Sequence, residues 1–368
     1  MGRFPGAGVN TGSKVRIALI GCGAISELYY APVLAILAQQ GKVEVTHVVD
    51  PQEERAKTLA KLLGEVRCLS SLDQVDEQTV DMAIVASPPG FHSVQTKWML
   101  ERDTAVLCEK PMAMSYAEAE EMVTLGEARK TLLAVGLFRR FFPSNEAIRQ
   151  MISDAPLGKA LHVEIAEGGR FNWPARSTSF FDRRQSGGGV LADLGVHSLD
   201  LLCWWFGMPV RMDYEDDAMG GLEANCKVRM EFEGGCTASL RLTRDLEIPN
   251  HISIQFERGR VRHQPAAADK LEIRFQGERP FTLNGGLTRS GKSGDQGNDY
   301  PVLTYHQSFT RQLTNMIAAL RGQEELVVSG ASALSSARII EDCYASKRLM
   351  TMPWLTEVEV QRARQLGN

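Results

Sequence analysis

The sequence has 368 residues, of which 43% are hydrophobic and 23% charged, with a net charge of −4. That length supports two domains with separate cores. The near-neutral balance gives no basic stripe for nucleic acid, and no apolar run reaches the roughly 18–20 residues of a membrane span. The seven cysteines (Cys22, Cys68, Cys108, Cys203, Cys226, Cys236, Cys343) are scattered, odd in number and never paired as C-x-x-C. They argue against a disulfide framework or a metal site and for a reducing, cytoplasmic setting.

Residues 1–14, MGRFPGAGVNTGSK, are expected to be a flexible tail, since one early Arg and no apolar core do not make a signal peptide. The run 15–20, VRIALI, is short, continuous and apolar, as a strand buried on both faces is. It leads straight into Gly21-Cys22-Gly23-Ala24-Ile25-Ser26 and then a helical pattern to about residue 40. In such a strand, turn and helix, Gly21 permits the tight turn and Gly23 lets backbone approach a pyrophosphate. The first helical N–H groups, from Ala24 and Ile25 onward, then face that anion. Ser26 stands where G-x-G-x-x-G has its third glycine, and a small residue still keeps helix and strand close. The second strand, 43–49, ends at Asp50, whose carboxylate can accept bonds from ribose hydroxyls and repel a 2′-phosphate. These residues predict a dinucleotide site that favours NAD over NADP. Arg55, one helical turn on, would temper that preference if it faced the ribose.

The alternation continues with a helix at 53–63 and a strand at 82–86 that ends in Ser87-Pro88-Pro89-Gly90-Phe91-His92. A helix to about 101, a strand at 105–108, then Glu109-Lys110-Pro111, a helix at 116–129 and a strand at 132–135 complete a doubly wound parallel sheet. Ligands bind beyond the carboxyl ends of such strands. Ser87, Pro88 and His92, with Glu109 and Lys110, fall at those ends and join the expected cofactor-binding set. Pro111 restrains the backbone at Lys110. The lysine ammonium could polarise a substrate oxygen there, although a lysine after a strand is often only a surface residue.

Residues 136–143 (GLFRRFFP) leave the sheet, and 145–152 read as a linking helix. Beyond Gly158 the segments 161–166, 224–232, 236–242, 251–256 and 270–275 alternate apolar and polar residues. They predict an α+β domain with a large, mostly antiparallel sheet open on one face. Late helices at 309–320 and 331–348 could pack back on the first domain. The domain boundaries are therefore set at 15–143 and 144–368. The acidic stretch 213–217, DYEDD, reads as a loop or solvated face without a metal ligand set. Residues 286–293 (GLTRSGKS) fit the phosphate-loop pattern G-x-x-x-x-G-K-[ST]. The following GDQGNDYP cannot start the helix that pattern requires, so the stretch reads as a surface loop.

Between these blocks lies 187–200, GGGVLADLGVHSLD. Asp193 and His197 stand four apart, on one face of a helix and about 6 Å apart along its axis. A carboxylate beside an imidazole can orient the ring and raise its basicity, as proton transfer requires; the same pair could equally make core hydrogen bonds. For a substrate, Arg170-Phe171-Asn172-Trp173-Pro174 and Arg176 follow the first strand of the second domain. A Trp173 face suits the apolar side of a sugar, unless that ring serves the core. Arg139, Arg170 and Arg176 could together hold a phosphate or carboxylate, or each could be solvated or structural.

The combination of Gly21-x-Gly23-x-x-Ser26, Asp50, Ser87-Pro88-x-x-x-His92, Glu109-Lys110-Pro111, Arg140-Phe141-x-Pro143 and the glycine-rich stretch through Asp193, His197 and Asp200 resembles the glucose–fructose oxidoreductase / inositol dehydrogenase / rhizopine catabolism family. The likeness runs from Val15 to about Leu355, with Pro89 standing where many members carry Asn. It implies an NAD-dependent dehydrogenase oxidising a ring secondary alcohol on a sugar, nucleotide sugar or cyclitol. It also implies that Lys110, Asp193 and His197 face the nicotinamide. His197 would take the hydroxyl proton, Asp193 orient it or bind a neighbouring hydroxyl, and Lys110 stabilise the developing alkoxide. Either His197 or Lys110 could carry the proton. Alternatives are a glycosidase that uses retained NAD for transient oxidation and a non-catalytic dinucleotide-binding regulator. Members commonly pair through the open sheet face, so a homodimer or homotetramer is expected, with apolar strands at the contact.

Overall fold

The computed structural model describes residues 12–175, 178–266, 268–284, 305–352 and 355–366. Most of the expected tail, the phosphate-loop look-alike at 286–293 and Arg176 lie outside the described residues. In chain order the first elements are β1 (Val15–Ile20), α1 (Ala31–Gln39), β2 (Val43–Val49), α2 (Glu53–Leu63), β3 (Arg67–Leu69), β4 (Met82–Val85), α3 (His92–Leu100), β5 (Ala105–Cys108), α4 (Tyr116–Arg129) and β6 (Leu133–Val135). There follow α5 (Pro143–Asp154), β7 (Ala160–Gly168), α6 (Arg183–Ser186), α7 (Val196–Phe206), β8 (Pro209–Asp216), β9 (Asn225–Phe232), β10 (Thr237–Thr243), β11 (His251–Phe256), β12 (Gly259–His263), β13 (Lys270–Phe275) and β14 (Phe281–Asn284). The last are α8 (Tyr305–Leu320), α9 (Gly330–Ala345), β15 (Arg348–Leu349) and α10 (Glu357–Leu366).

Two compact units form. Among the described residues, one gathers those within 1–137, 172–196 and 309–341, and the other those within 138–171, 197–308 and 342–368. The first unit holds a six-stranded sheet of order β3-β2-β1-β4-β5-β6, parallel throughout. Every residue of β4 and β5 is buried, which is why MAIV and AVLC carry no alternation. Chain order reverses between β1 and β4, so the crevice beyond their carboxyl ends is the topological switch point. The late segment completes this unit at its far edge. Val135 donates its N–H to Val328 O at 3.2 Å, and Ala134 bridges to Ser329.

The second unit is built on a nine-stranded mixed sheet, β14-β13-β12-β11-β7-β10-β9-β8-β15, antiparallel except for β7–β10 and β8–β15. Its register aligns Ile252, Ile165, Leu240 and Val228 in one buried row. Outward positions carry Glu164, Lys227, Arg229, Arg241 and Gln255. The open face is therefore largely polar and charged, which corrects the expectation of apolar strands there.

The acidic stretch 213–217 needs a second correction. It is mostly strand, because β8 carries it through Asp216. Alternation explains this: Tyr214 and Asp216 are buried, whereas Asp213 and Glu215 point outward and pair with Arg229 and Arg348. Four charges in five residues hid a period of two.

Candidate functional site

In the first unit the glycine turn is built for close approach. Gly21 has φ +91°, and a Cβ there would stand 2.5 Å from Ser87 N and 2.7 Å from Ala86 O. Only glycine lets the turn lie against the β4 end. A Cβ at Gly23 would meet nothing within 4 Å, so the turn is open on that side. Ser26 repairs the missing third glycine in its own way. Its buried hydroxyl donates to Gly21 O at 2.6 Å and so closes the turn on itself. It also opens a π-helical turn, Ser26–Tyr30, that precedes α1. The sequence pattern alone reads this stretch as α-helix.

Asp50 faces the same turn. Its carboxylate accepts the Cys22 N–H at 2.9 Å and the Gln52 N–H at 2.8 Å. The acid is thereby fixed at the end of β2 with lone pairs to spare. The buried Cys22 thiol is pushed up to about 12 by burial and then by the Asp50 charge, so it is no nucleophile. A diphosphate-linked dinucleotide fits these residues: open backbone at Gly23, helical N–H groups beyond it, and a fixed carboxylate for ribose hydroxyls.

Ser87 and His92 turn inward. Ser87 Oγ meets Gln95 Oε1 at 2.6 Å. The buried His92 ring lies between two carbonyls, with Nδ1 2.8 Å from Pro111 O and Nε2 2.8 Å from Ser87 O. Burial holds its proton affinity below the ordinary range, against the pull of those carbonyls. His92 therefore pins the β4 loop to the β5 loop. Both of its ring nitrogens face backbone. Glu109 is likewise buried, bonded to Tyr30 and to the Lys110 amide.

Lys110, at the carboxyl end of β5, reaches Asp193. Its Nζ donates to Asp193 Oδ1 at 2.9 Å and to Asp193 O at 2.8 Å. The lysine side chain is 18% exposed and that of Asp193 is 32% exposed, so the pair is held yet open to a ligand. Asp193 sits on a second π-helical turn, Leu191–Gly195, in place of the simple α-helix the spacing suggested. π turns recur at functional sites. Elsewhere in this unit Trp173 lies parallel to Tyr29, with ring centroids 6.3 Å apart, and Tyr29 stacks on Phe309 at 5.0 Å. Asn172 is exposed beside them. Tyr29 and Tyr30 were missed by sequence reasoning because no motif marks the residues after the turn.

In the second unit His197 is 4% exposed, its ring edge-on to Phe138 at 5.1 Å. Arg140 makes a buried pair with Asp200 through bonds of 2.9 and 2.6 Å. Arg139 is paired just as deeply with Glu167, at 2.8 and 2.5 Å. The Arg139 guanidinium thus serves a buried carboxylate. Arg170 is exposed. Among the described residues no group of His, Cys, Asp or Glu could hold a metal ion, and no helix is long and apolar enough to cross a membrane.

The parallel sheet, its glycine turn and the acid beyond β2 define the class of dinucleotide-binding Rossmann proteins. Comparison with known families narrows it. Residues 15–137 match the oxidoreductase family with an NAD-binding Rossmann fold, GFO/IDH/MocA, and residues 145–262 match the C-terminal domain of that family. The chain belongs to the GFO/IDH/MocA oxidoreductases. Among its relatives, trans-1,2-dihydrobenzene-1,2-diol dehydrogenase of Bos taurus is 26% identical over 272 residues, 72% of this chain and 78% of that protein. D-glucoside 3-dehydrogenase of Escherichia coli (strain K12) is 28% identical over 205 residues, 54% of this chain and 56% of that one. The WlbA dehydrogenase from Bordetella pertussis, in complex with NADH and UDP-GlcNAcA, shares the fold. Its TM-score is 0.76 at 22% identity, covering 92% of this chain and 96% of that structure.

Proposed function

We propose that this protein interconverts a secondary alcohol and a ketone on the ring of a sugar, nucleotide sugar or cyclitol, with NAD(H) as redox partner. The observation that carries the reading is the Lys110–Asp193 pair at the carboxyl end of β5, in the same unit as the glycine turn. Related proteins named for dehydrogenation of a glucoside and of a cyclic diol agree with it. The dinucleotide would be held by the Gly21–Ile25 turn and by Asp50, with Ser87 and Pro88 along the β4 end. The nicotinamide of a bound dinucleotide would supply the acceptor for the carbinol hydride.

Lys110 donates a hydrogen bond to the substrate oxygen and stabilises it as negative charge develops. Asp193 keeps that ammonium aimed and offers its second oxygen to a neighbouring hydroxyl. His197, four residues further along the chain, takes the hydroxyl proton. Asn172 and the Trp173 face would contact the ring. NAD is favoured over NADP because Asp50 is a fixed carboxylate where a 2′-phosphate would lie. We place the protein in the cytoplasm, on its seven free cysteines, and assemble it as a homodimer or homotetramer through the charged sheet face.

The test is a panel of sugars, glycosides, cyclitols and cyclic diols, read by NADH absorbance. Lys110→Ala should lower kcat by about 100-fold or more while NADH still binds. Full activity in that variant would defeat the reading.

A further inference from the structure

Behind Lys110 lies a buried chain of hydrogen bonds that the proposed reaction does not use. Tyr30 is fully buried and Glu109 is 5% exposed. The Tyr30 hydroxyl donates to Glu109 Oε1 at 2.7 Å, and Glu109 Oε2 accepts the backbone N–H of Lys110 at 3.0 Å. Gln312 Nε2 reaches the Tyr30 oxygen at 3.3 Å. The carboxylate fills space that Gly136 leaves: a Cβ at that glycine would stand 2.7 Å from Oε1 and 3.1 Å from Oε2. Tyr30 also ends the π turn that follows the glycine turn. One hydroxyl therefore joins the cofactor-side turn to the lysine turn.

Burying a carboxylate is costly unless it is bonded or neutralised. Burial raises the proton affinity of Glu109, while the Tyr30 hydroxyl and then the charge of Lys110 oppose that rise. The neighbouring Cys108 thiol, pushed up to about 12 by burial, stays neutral. The Lys110 ammonium also meets Asp193 and acts on the His92 ring. A position needed only for packing would be apolar. Here an acid is held from two directions, and one of its partners is the peptide N–H of the lysine itself.

We propose that Tyr30 and Glu109 are positioning residues for Lys110: their bonded pair, seated in the slot left by Gly136, fixes the backbone of the lysine turn and sets a negative charge behind its ammonium. This rests on the reading of Lys110 as the group that meets the substrate oxygen.

The test needs no substrate. Trace acetylation with acetic anhydride at one fixed pH, read by peptide mass spectrometry, gives the reactivity of the Lys110 amine relative to the other lysines. Glu109→Gln keeps the shape and removes the acid, and that reactivity should rise by about threefold or more. Tyr30→Phe removes one of the two bonds that seat the acid, and should raise it by less. Circular dichroism shows which variants fold, and Tyr30→Phe decides if Glu109→Gln does not. A role in packing alone would lower thermal stability and leave the Lys110 reactivity where it is, and that result in a folded variant overturns the inference. A changed reactivity in a protein that oxidises no ring alcohol would instead sustain the inference and defeat only the functional reading.

Discussion

Asp50 is fixed before any ligand arrives, because the Cys22 and Gln52 amides hold its two oxygens. Asp50→Asn places an NH2 against one of those amides. It should weaken NADH binding about tenfold or more and narrow the gap between NAD and NADP, as fluorescence titration with both reduced cofactors would measure. His92 carries a pH signature. Its folded ring binds a proton more weakly than the free ring, whose reference value is 6.5. Below about pH 6.5 the unfolded chain therefore takes up more protons than the native one, and stability falls as pH falls. His92→Gln should flatten that acid limb relative to the parent protein in urea unfolding between about pH 5 and 7. An unchanged slope would mean that the buried ring does not titrate against its two carbonyls.

At the scale of elements, the glycine turn makes the sharpest prediction. Gly21→Ala would set a methyl into the Ala86–Ser87 peptide at a φ of +91°. Loss of several kcal/mol of stability and of NADH binding should follow. Ser26→Ala, which loses only the 2.6 Å bond to Gly21 O, should cost about 1 kcal/mol. Much of this architecture is legible in the sequence. The expected strands at 15–20, 43–49 and 105–108 match β1, β2 and β5, and the glycine turn falls between β1 and the helix that follows. These elements obey local rules of periodicity and turn chemistry. What stayed hidden depends on partners far away in the chain. β8 was concealed by charges whose partners, Arg229, Arg348 and Lys347, lie elsewhere in the chain. The His92 ring meets the carbonyl of Pro111, 19 residues on, a contact that no local pattern marks. Nor does the pattern of a helix tell a π turn from an α turn, because the two differ by one residue in their bonding.

For the whole molecule, the second unit depends on charge in a dry place. Arg140→Met strands Asp200, which is 1% exposed, and should cost about 3–5 kcal/mol in unfolding experiments. A matched Arg140→Met/Asp200→Leu protein should recover most of that loss. Any assembly through the charged sheet face should weaken as ionic strength rises, which sedimentation at low and high salt would register. The first unit carries a different dependence. Its edge strand β6 is completed by Val328 and Ser329, and Tyr29 finds Phe309 only when the later chain returns. During synthesis, about 190 further residues must leave the ribosome after β6 before that edge is closed, at roughly 5–20 residues per second. The nascent nucleotide-binding half thus waits on the order of ten seconds or more with an unpaired strand exposed, which makes it a natural client for chaperones that bind growing chains.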